Sequence, residues 1–288
     1  MLHNIPNTKY VDFNHKNGYN KYMRIERLNL KKLTNTRDLG GFPAADGKKI
    51  RKGKLIRSSR LYKIPPATVK ALQEMGVTTI VDMRIEREIM EYPCVIVPGA
   101  KHINLPLVCA ATTGITSEKS MASTMLKESK RIKTEFGTAD NYMKSVYEMI
   151  LYSPESKKNL KEFLDLVRDE EGTILWHCNA GKDRTGISAM LLEHLLGVDE
   201  ELIIQDYCIS QKFFQRSKRR AQRLGLIIAP VSMQFKRILY ALMAAKPEYI
   251  ISAIETMKER NGSVINYCKE ELGVTDEDIK ILRDKYLE

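Results

Sequence analysis

Residues 177 to 186 read His-Cys-Asn-Ala-Gly-Lys-Asp-Arg-Thr-Gly, after the apolar run Thr173, Ile174, Leu175, Trp176 and before an amphipathic helical pattern. Five residues separate Cys178 from Arg184, so the chain between them curls into a loop whose backbone N–H groups converge on one tetrahedral anion. The sulfur sits at the floor of that nest. The helix that begins near Arg184 adds its positive end to the same point, which favours a bound phosphate and a thiolate nucleophile. Displacement on a phosphate monoester needs a strong in-line nucleophile and planar cationic donors around the equatorial oxygens. Cys178 supplies the first and Arg184 the second. Asn179, Ala180, Gly181, Lys182, Asp183, Thr185 and Gly186 complete the loop as candidate phosphate-binding residues. The Thr185 hydroxyl is placed to donate to the thiolate, and Gly181 and Gly186 are read as positions where a Cβ would crowd the anion.

A strand must carry this loop and a helix must follow it. Alternating segments bear this out along the chain. Arg27 to Leu33 reads as a strand or extended entry, Gly41 to Gly47 as a turn and Lys49 to Arg57 as a second extended segment. Ala67 to Met75 is helical and ends at Gly76, and Val77 to Met83 is a β-branched run suited to a buried parallel strand. His102 to Leu105 is a further strand candidate. Ser153-Pro154 opens a helix that carries Leu160, Phe163, Leu164 and Val167 into the strand at Thr173. After Gly186 the pattern is mostly helical, with Ile187, Met190, Leu191 and Leu195 as one stripe and Ile203, Ile204 and Tyr207 as the next. The expected fold is α/β, with a mainly parallel central sheet flanked by helices and the ligand bound beyond a strand end. Trp176 is read as strand core, and His194, about three turns from the nucleophile, as a helix histidine. His177 is read as a support for the loop.

The loop resembles that of the cysteine-dependent phosphatases of the protein tyrosine phosphatase superfamily, and the Lys182-Asp183 pair ahead of the arginine is similar to a bacterial tyrosine/lipid phosphatase branch. Asn35-Thr36-Arg37-Asp38-Leu39-Gly40-Gly41 resembles the branch's amino-terminal signature. Leu55 to Ser59 and Val81 to Arg84 resemble its next two strands, and the carboxy-terminal stretch from Tyr249 to Glu288 is similar too. Residues 107–140 match no pattern. The resemblance implies a protein tyrosine phosphatase-like fold with a carboxy-terminal helical lid around residues 210–246. In that lid Phe213, Phe214, Leu224, Ile227 and Ile228 cover the cleft. It also implies a single phosphatase domain over 26–288 behind an amino-terminal arm over 1–25.

A general acid must protonate the leaving oxygen, and Asp82, Asp183 and Asp38 are the candidates. No Trp-Pro-Asp loop exists here, and the resemblance points to Asp82, at the end of a predicted strand. The alternative for Asp82 is an ion pair with Arg84 or Arg57. Arg37 and Asp38 either reach the cleft as substrate ligands or fasten their segment to the core. By the same resemblance Lys182 adds charge for inositol phosphates that carry more than one phosphate; the alternative is an exposed lysine neutralising a surface carboxylate.

Composition sets outer bounds. The chain has 288 residues, 43% of them hydrophobic, and a formal net charge of +11. That charge suits an anionic partner: a phosphoprotein, a phosphoinositide or an anionic membrane surface. Lys212, Arg216, Lys218, Arg219, Arg220 and Arg223 concentrate it in one segment. No nucleic-acid module accompanies it. The five cysteines show no metal-ligand spacing, and neither a metal nor a cofactor is expected. The polar start excludes a secretory signal within this sequence, so a cytoplasmic location is expected, or export if a signal was removed from a longer precursor. The expected function is hydrolysis of phosphotyrosine, with phosphoserine and phosphothreonine as further substrates, through a cysteinyl phosphate. The alternatives are a phosphoinositide phosphatase of the same mechanism and a silent phosphate-binding module.

Overall fold

Five strands form one sheet in the order β1-β2-β5-β3-β4: β1 Arg37–Asp38, β2 Leu55–Ser58, β3 Val77–Asp82, β4 Lys101–Asn104 and β5 Thr173–His177. Only the β1–β2 pair is antiparallel; β2, β5, β3 and β4 run parallel. The computed structural model describes residues 25, 27–107, 131–225 and 240–288, the side chains of 213–225 excepted.

The sheet has two unequal faces. Leu55, Val81, Ile174 and Trp176 point to one, and Ile56, Ile80 and Leu175 to the other, as the two-residue strand period requires. The core on the larger face also takes in α3 (Ala139–Tyr152), α4 (Pro154–Asp169), α5 (Asp183–Leu195), α6 (Glu200–Gly225), α7 (Pro247–Asn261), α8 (Val264–Glu270) and α9 (Asp276–Tyr286). The smaller packs Leu72 of α1 (Pro66–Glu74). A short α2 (Glu86–Glu91) follows β3. Trp176 is fully buried against Phe163, with ring centroids 5.5 Å apart, as expected of strand core.

β5 lies between β2 and β3, so its carboxyl end opens on both neighbours. His177 pairs in register with Ser58 on one side and Asp82 on the other. The predicted strands at 77, 102 and 173 and the helices after Pro66 and Pro154 are present. The stretch from Arg27 to Leu33 is not a strand, and the amino-terminal strand is two residues long. Residues 1–24 of the amino-terminal arm, the side chains of the lid residues from Phe213 to Ile228 and the basic side chains from Arg216 to Arg223 lie outside what the structure describes. The backbone is helical as far as Gly225.

Candidate active site

The loop from Cys178 leaves β5 and enters α5 at Asp183. Cys178 is 2% exposed. Asn179, Ala180 and Asp183 are half-buried, so they mark the mouth, whereas Gly181, Lys182 and Arg184 lie inside. A loop that turns its N–H groups inward must turn its carbonyls outward, where they need donors of their own. The amino-terminal signature supplies them. Asn35 Nδ2 donates to Ala180 O at 3.0 Å and Gly181 O at 2.8 Å, and Arg57 Nη2 donates to Gly181 O at 3.2 Å. Gly181 has φ +65°, and a Cβ there would lie 2.4 Å from Ser58 O. At Gly186 the added atom would meet the Tyr207 ring at 3.1 Å. Both glycines therefore let the loop pack onto β2 and α6.

Arg184 is oriented by a residue the sequence did not reveal. Glu88, 2% exposed on α2, accepts from Arg184 Nη1 at 2.6 Å and Nη2 at 2.8 Å. It also accepts from Asn179 Nδ2 and from the backbone N–H of Ile85 at 3.1 Å. Arg184 Nη1 further donates to Met83 O at 3.2 Å. A buried bidentate pair is costly to desolvate and adds little net stability, but it fixes the plane of the guanidinium. Glu88 stands among surface-type residues in the sequence, with no local signal to mark it. The Thr185 hydroxyl is fully buried and has no hydrogen-bond partner among the described residues, as suits a group held for a thiolate or its phosphoryl adduct.

Asp82 sits at the end of β3 as predicted, but its carboxylate is gripped by Arg84: Nη2 donates to Oδ2 at 2.7 Å, and Nε and the backbone N–H donate to Oδ1 at 2.9 and 3.0 Å. Burial pushes its carboxyl up; the charges of His177 and Arg84 outweigh burial and hold it below the usual range. Burial pulls His177 down to about 4, so at neutral pH the Arg84 fork does the holding. Both carboxylate oxygens are thus engaged by the Arg84 fork. His177 Nδ1 donates to Cys178 O at 3.2 Å, which fixes the tautomer and supports the loop as expected.

Asp183 is placed differently. It opens α5, its side chain is 24% exposed, and it accepts from the Tyr147 hydroxyl at 2.5 Å; Tyr147 in turn meets the Tyr207 hydroxyl at 2.5 Å. Lys182 Nζ lies 3.2 Å from the same carboxylate and donates to Leu242 O and Ala244 O at 2.7 and 2.8 Å. Its ammonium is thus bound to the backbone near residues 240–246.

Arg37 and Asp38 fasten their segment. Arg37 is fully buried and donates to Asp206 Oδ1 at 2.6 Å and Asn35 Oδ1 at 2.6 Å, and Arg57 also pairs with Asp206. Burial and the charge of Arg57 pull Arg37 down to about 10, still cationic at neutral pH. Asp38 accepts from the backbone N–H groups of Gly40 at 2.9 Å and Gly53 at 2.6 Å. Of the two readings of this pair, these contacts favour fastening: Arg37 has no exposed surface, and Asp38 ties its turn to the chain at Gly53. His194 donates Nδ1 to Met190 O at 2.8 Å, as a helix histidine does.

Ligand atoms of Asp82, Cys94 and His177 lie within 4.8 Å of one another, a grouping that spacing alone did not show. Arg84 Nη2 donates to both Asp82 and Cys94 Sγ, so a cation already occupies that corner.

A thiol at the end of a central parallel strand, ahead of an arginine on the first turn of a helix, is the arrangement of a cysteine-dependent phosphatase. Residues 28–288 match the tyrosine phosphatase family, and the chain belongs to it. A candidate tyrosine-protein phosphatase of Cupriavidus necator is 30% identical over 259 residues, covering 88% of this chain and 86% of the relative. The triple specificity protein phosphatase PtpB of Mycobacterium tuberculosis is 25% identical over 242 residues, covering 77% and 86%.

Proposed function

We propose that this protein hydrolyses phosphotyrosine in proteins, with Cys178 as nucleophile, Arg184 and the loop N–H groups as the phosphoryl cradle, and Asp183 as the proton donor. The observation that carries the reading is the Cys178–Arg184 loop with Glu88 clamping the arginine. In the first step Cys178 sulfur attacks phosphorus as the phosphorus–oxygen bond to the tyrosyl group breaks, and the phenolate takes a proton from Asp183. In the second, water attacks the cysteinyl phosphate, gives its proton back to the Asp183 carboxylate, and releases phosphate and the thiolate. Thr185 supports sulfur as the leaving group. Asp82 keeps the role of a brace, because its carboxylate is closed off by Arg84.

Phosphoserine and phosphothreonine are proposed as further substrates on the strength of the likeness to the triple specificity relative. The phosphoinositide reading loses its main support, since Lys182 is committed to two backbone carbonyls. A nucleophile that must stay a free thiol suits a reducing compartment, and the cytoplasm is the proposed location.

Phosphate release without added metal from phosphotyrosine, phosphoserine and phosphothreonine peptides and from phosphoinositides tests this. Turnover of the phosphotyrosine peptide is expected, falling by several orders of magnitude in Cys178→Ser while peptide binding persists. Near-wild-type turnover in that variant would remove Cys178 from the mechanism. Turnover of lipid alone would replace the proposed substrate.

A further inference from the structure

Beside the mouth of the loop, on the Asn179 side, lies a cationic and aromatic group that the chemistry above does not use. The Arg60 guanidinium lies over the Tyr92 ring with its carbon 3.9 Å from the centroid, and 5.8 Å from the Tyr62 centroid. The two rings meet edge to face, centroids 5.2 Å apart and planes at 84°. Lys63 Nζ stands 5.0 Å from the Tyr62 centroid. Lys63 is exposed, and Arg60, Tyr62 and Tyr92 are half-buried. The arrangement is braced from behind: Val95 N donates to Leu61 O at 2.7 Å, and Arg84 Nη1 donates to Tyr92 O at 2.8 Å. It is also tied to the catalytic loop, because Arg60 N donates to Asn179 O at 3.2 Å.

A guanidinium held over an aromatic ring by its carbon can still present N–H donors at its edge, where a carboxylate docks bidentately. Its contact with Asn179 Oδ1, at 3.5 Å, is at the outer limit of a hydrogen bond and does not commit the fork. The buried carboxylate that Asn179 reaches, Glu88, is already spent on Arg184 and Asn179. We propose that Arg60, with Lys63 beside it, is a subsite for an acidic side chain flanking the phosphotyrosine of a protein substrate. This rests on the phosphotyrosine reading above. The pair of ring walls suits an extended peptide. A headgroup carrying several phosphates would need more cations than this rim offers now that Lys182 is engaged elsewhere.

The test compares kcat/KM for a phosphotyrosine peptide with Asp and Glu flanks, the same peptide with Asn and Gln flanks, and a small aryl phosphate that reports the chemistry alone. Wild type is expected to prefer the acidic peptide by roughly tenfold, in proportion to one charge-assisted contact. Arg60→Gln should bring that ratio close to one, and Lys63→Gln should lower it less. The backbone tie to Asn179 survives both changes, so losses common to all three substrates would mark Arg60 as a loop brace and overturn the proposal. So would a ratio unchanged in Arg60→Gln, or an Arg60-dependent preference for a soluble bis-phosphorylated inositol over both peptides. If no substrate turns over, the functional reading fails by itself. The subsite is then judged by peptide binding to Cys178→Ser protein: acidic preference that Arg60→Gln abolishes supports it, and equal affinities reject it.

Discussion

Two aspartates illustrate how identical side chains at neighbouring strand and loop positions take different work. Asp82 is closed by the Arg84 fork, whereas Asp183 stands at the mouth with its carboxylate on Tyr147. Asp183→Asn is therefore expected to lower kcat by about 10²-fold on alkyl or other poor leaving groups and far less on an activated aryl phosphate. Asp82→Asn should lower stability without that dependence on the leaving group. A leaving-group series for both variants checks this, and a steeper slope for Asp82→Asn would exchange the roles. The nucleophile and its arginine were legible in the sequence because they lie in one short loop. Glu88 and Tyr147 were not, since they reach Arg184 and Asp183 from elements far away in the chain.

The amino-terminal signature shows what β1, β2 and α6 do for the loop. Asn35, Arg37 and Arg57 converge with Asp206 beneath it, and the loop carbonyls rest on Asn35 and Arg57. Burial pushes the Asp206 carboxyl up, but Arg37 and Arg57 hold it below the usual range, so the cluster keeps its ion pairs. Asn35→Ala takes the donor from Ala180 O, leaves Gly181 O to Arg57 and removes the Oδ1 acceptor of Arg37, and is expected to cost about 1–3 kcal/mol in unfolding free energy. Turnover should fall with it as the nest loosens, and denaturant unfolding with kcat on an aryl phosphate checks both. Unchanged kcat would mean that Asn35 only fastens the segment. The elements with strong periods, β3, β5 and α4, were readable from pattern. The strand at Arg37–Asp38 was not, being too short to show alternation, and α3 falls mostly beyond the stretch where no pattern was seen. Sequence alone allows Arg37 to face cleft or core, and its partner Asp206 on α6 draws it into the core.

At the scale of the whole molecule, the buried ionisable groups set a pH window. Burial pulls His177 from 6.5 to about 4, so between those values the unfolded chain binds the extra proton. Stability from this group is complete above about pH 6.5 and is lost toward pH 4, by about 3 kcal/mol. Glu193 moves the other way, raised by burial first and by the neighbouring Asp206 charge second. Its contribution is present in acid and is lost as pH rises through its folded value. Denaturant unfolding against pH should therefore trace a dome, with the acid limb flattened in His177→Gln and the alkaline limb in Glu193→Gln. A flat profile for wild type would contradict the burial of both. The α/β class was legible from alternation, but the gathering of most of the described helices into the core on one side of the sheet was not, because strand sequences alone do not say which cover lies where.

The most direct measurement is acid quenching of the wild-type enzyme during turnover of a phosphotyrosine peptide, followed by mass spectrometry of its cysteine peptides. A phosphoryl group on the peptide containing Cys178, absent in Cys178→Ser, is the predicted result. Steady turnover with Cys178 unmodified and the Cys178→Ser variant still active would contradict the covalent mechanism.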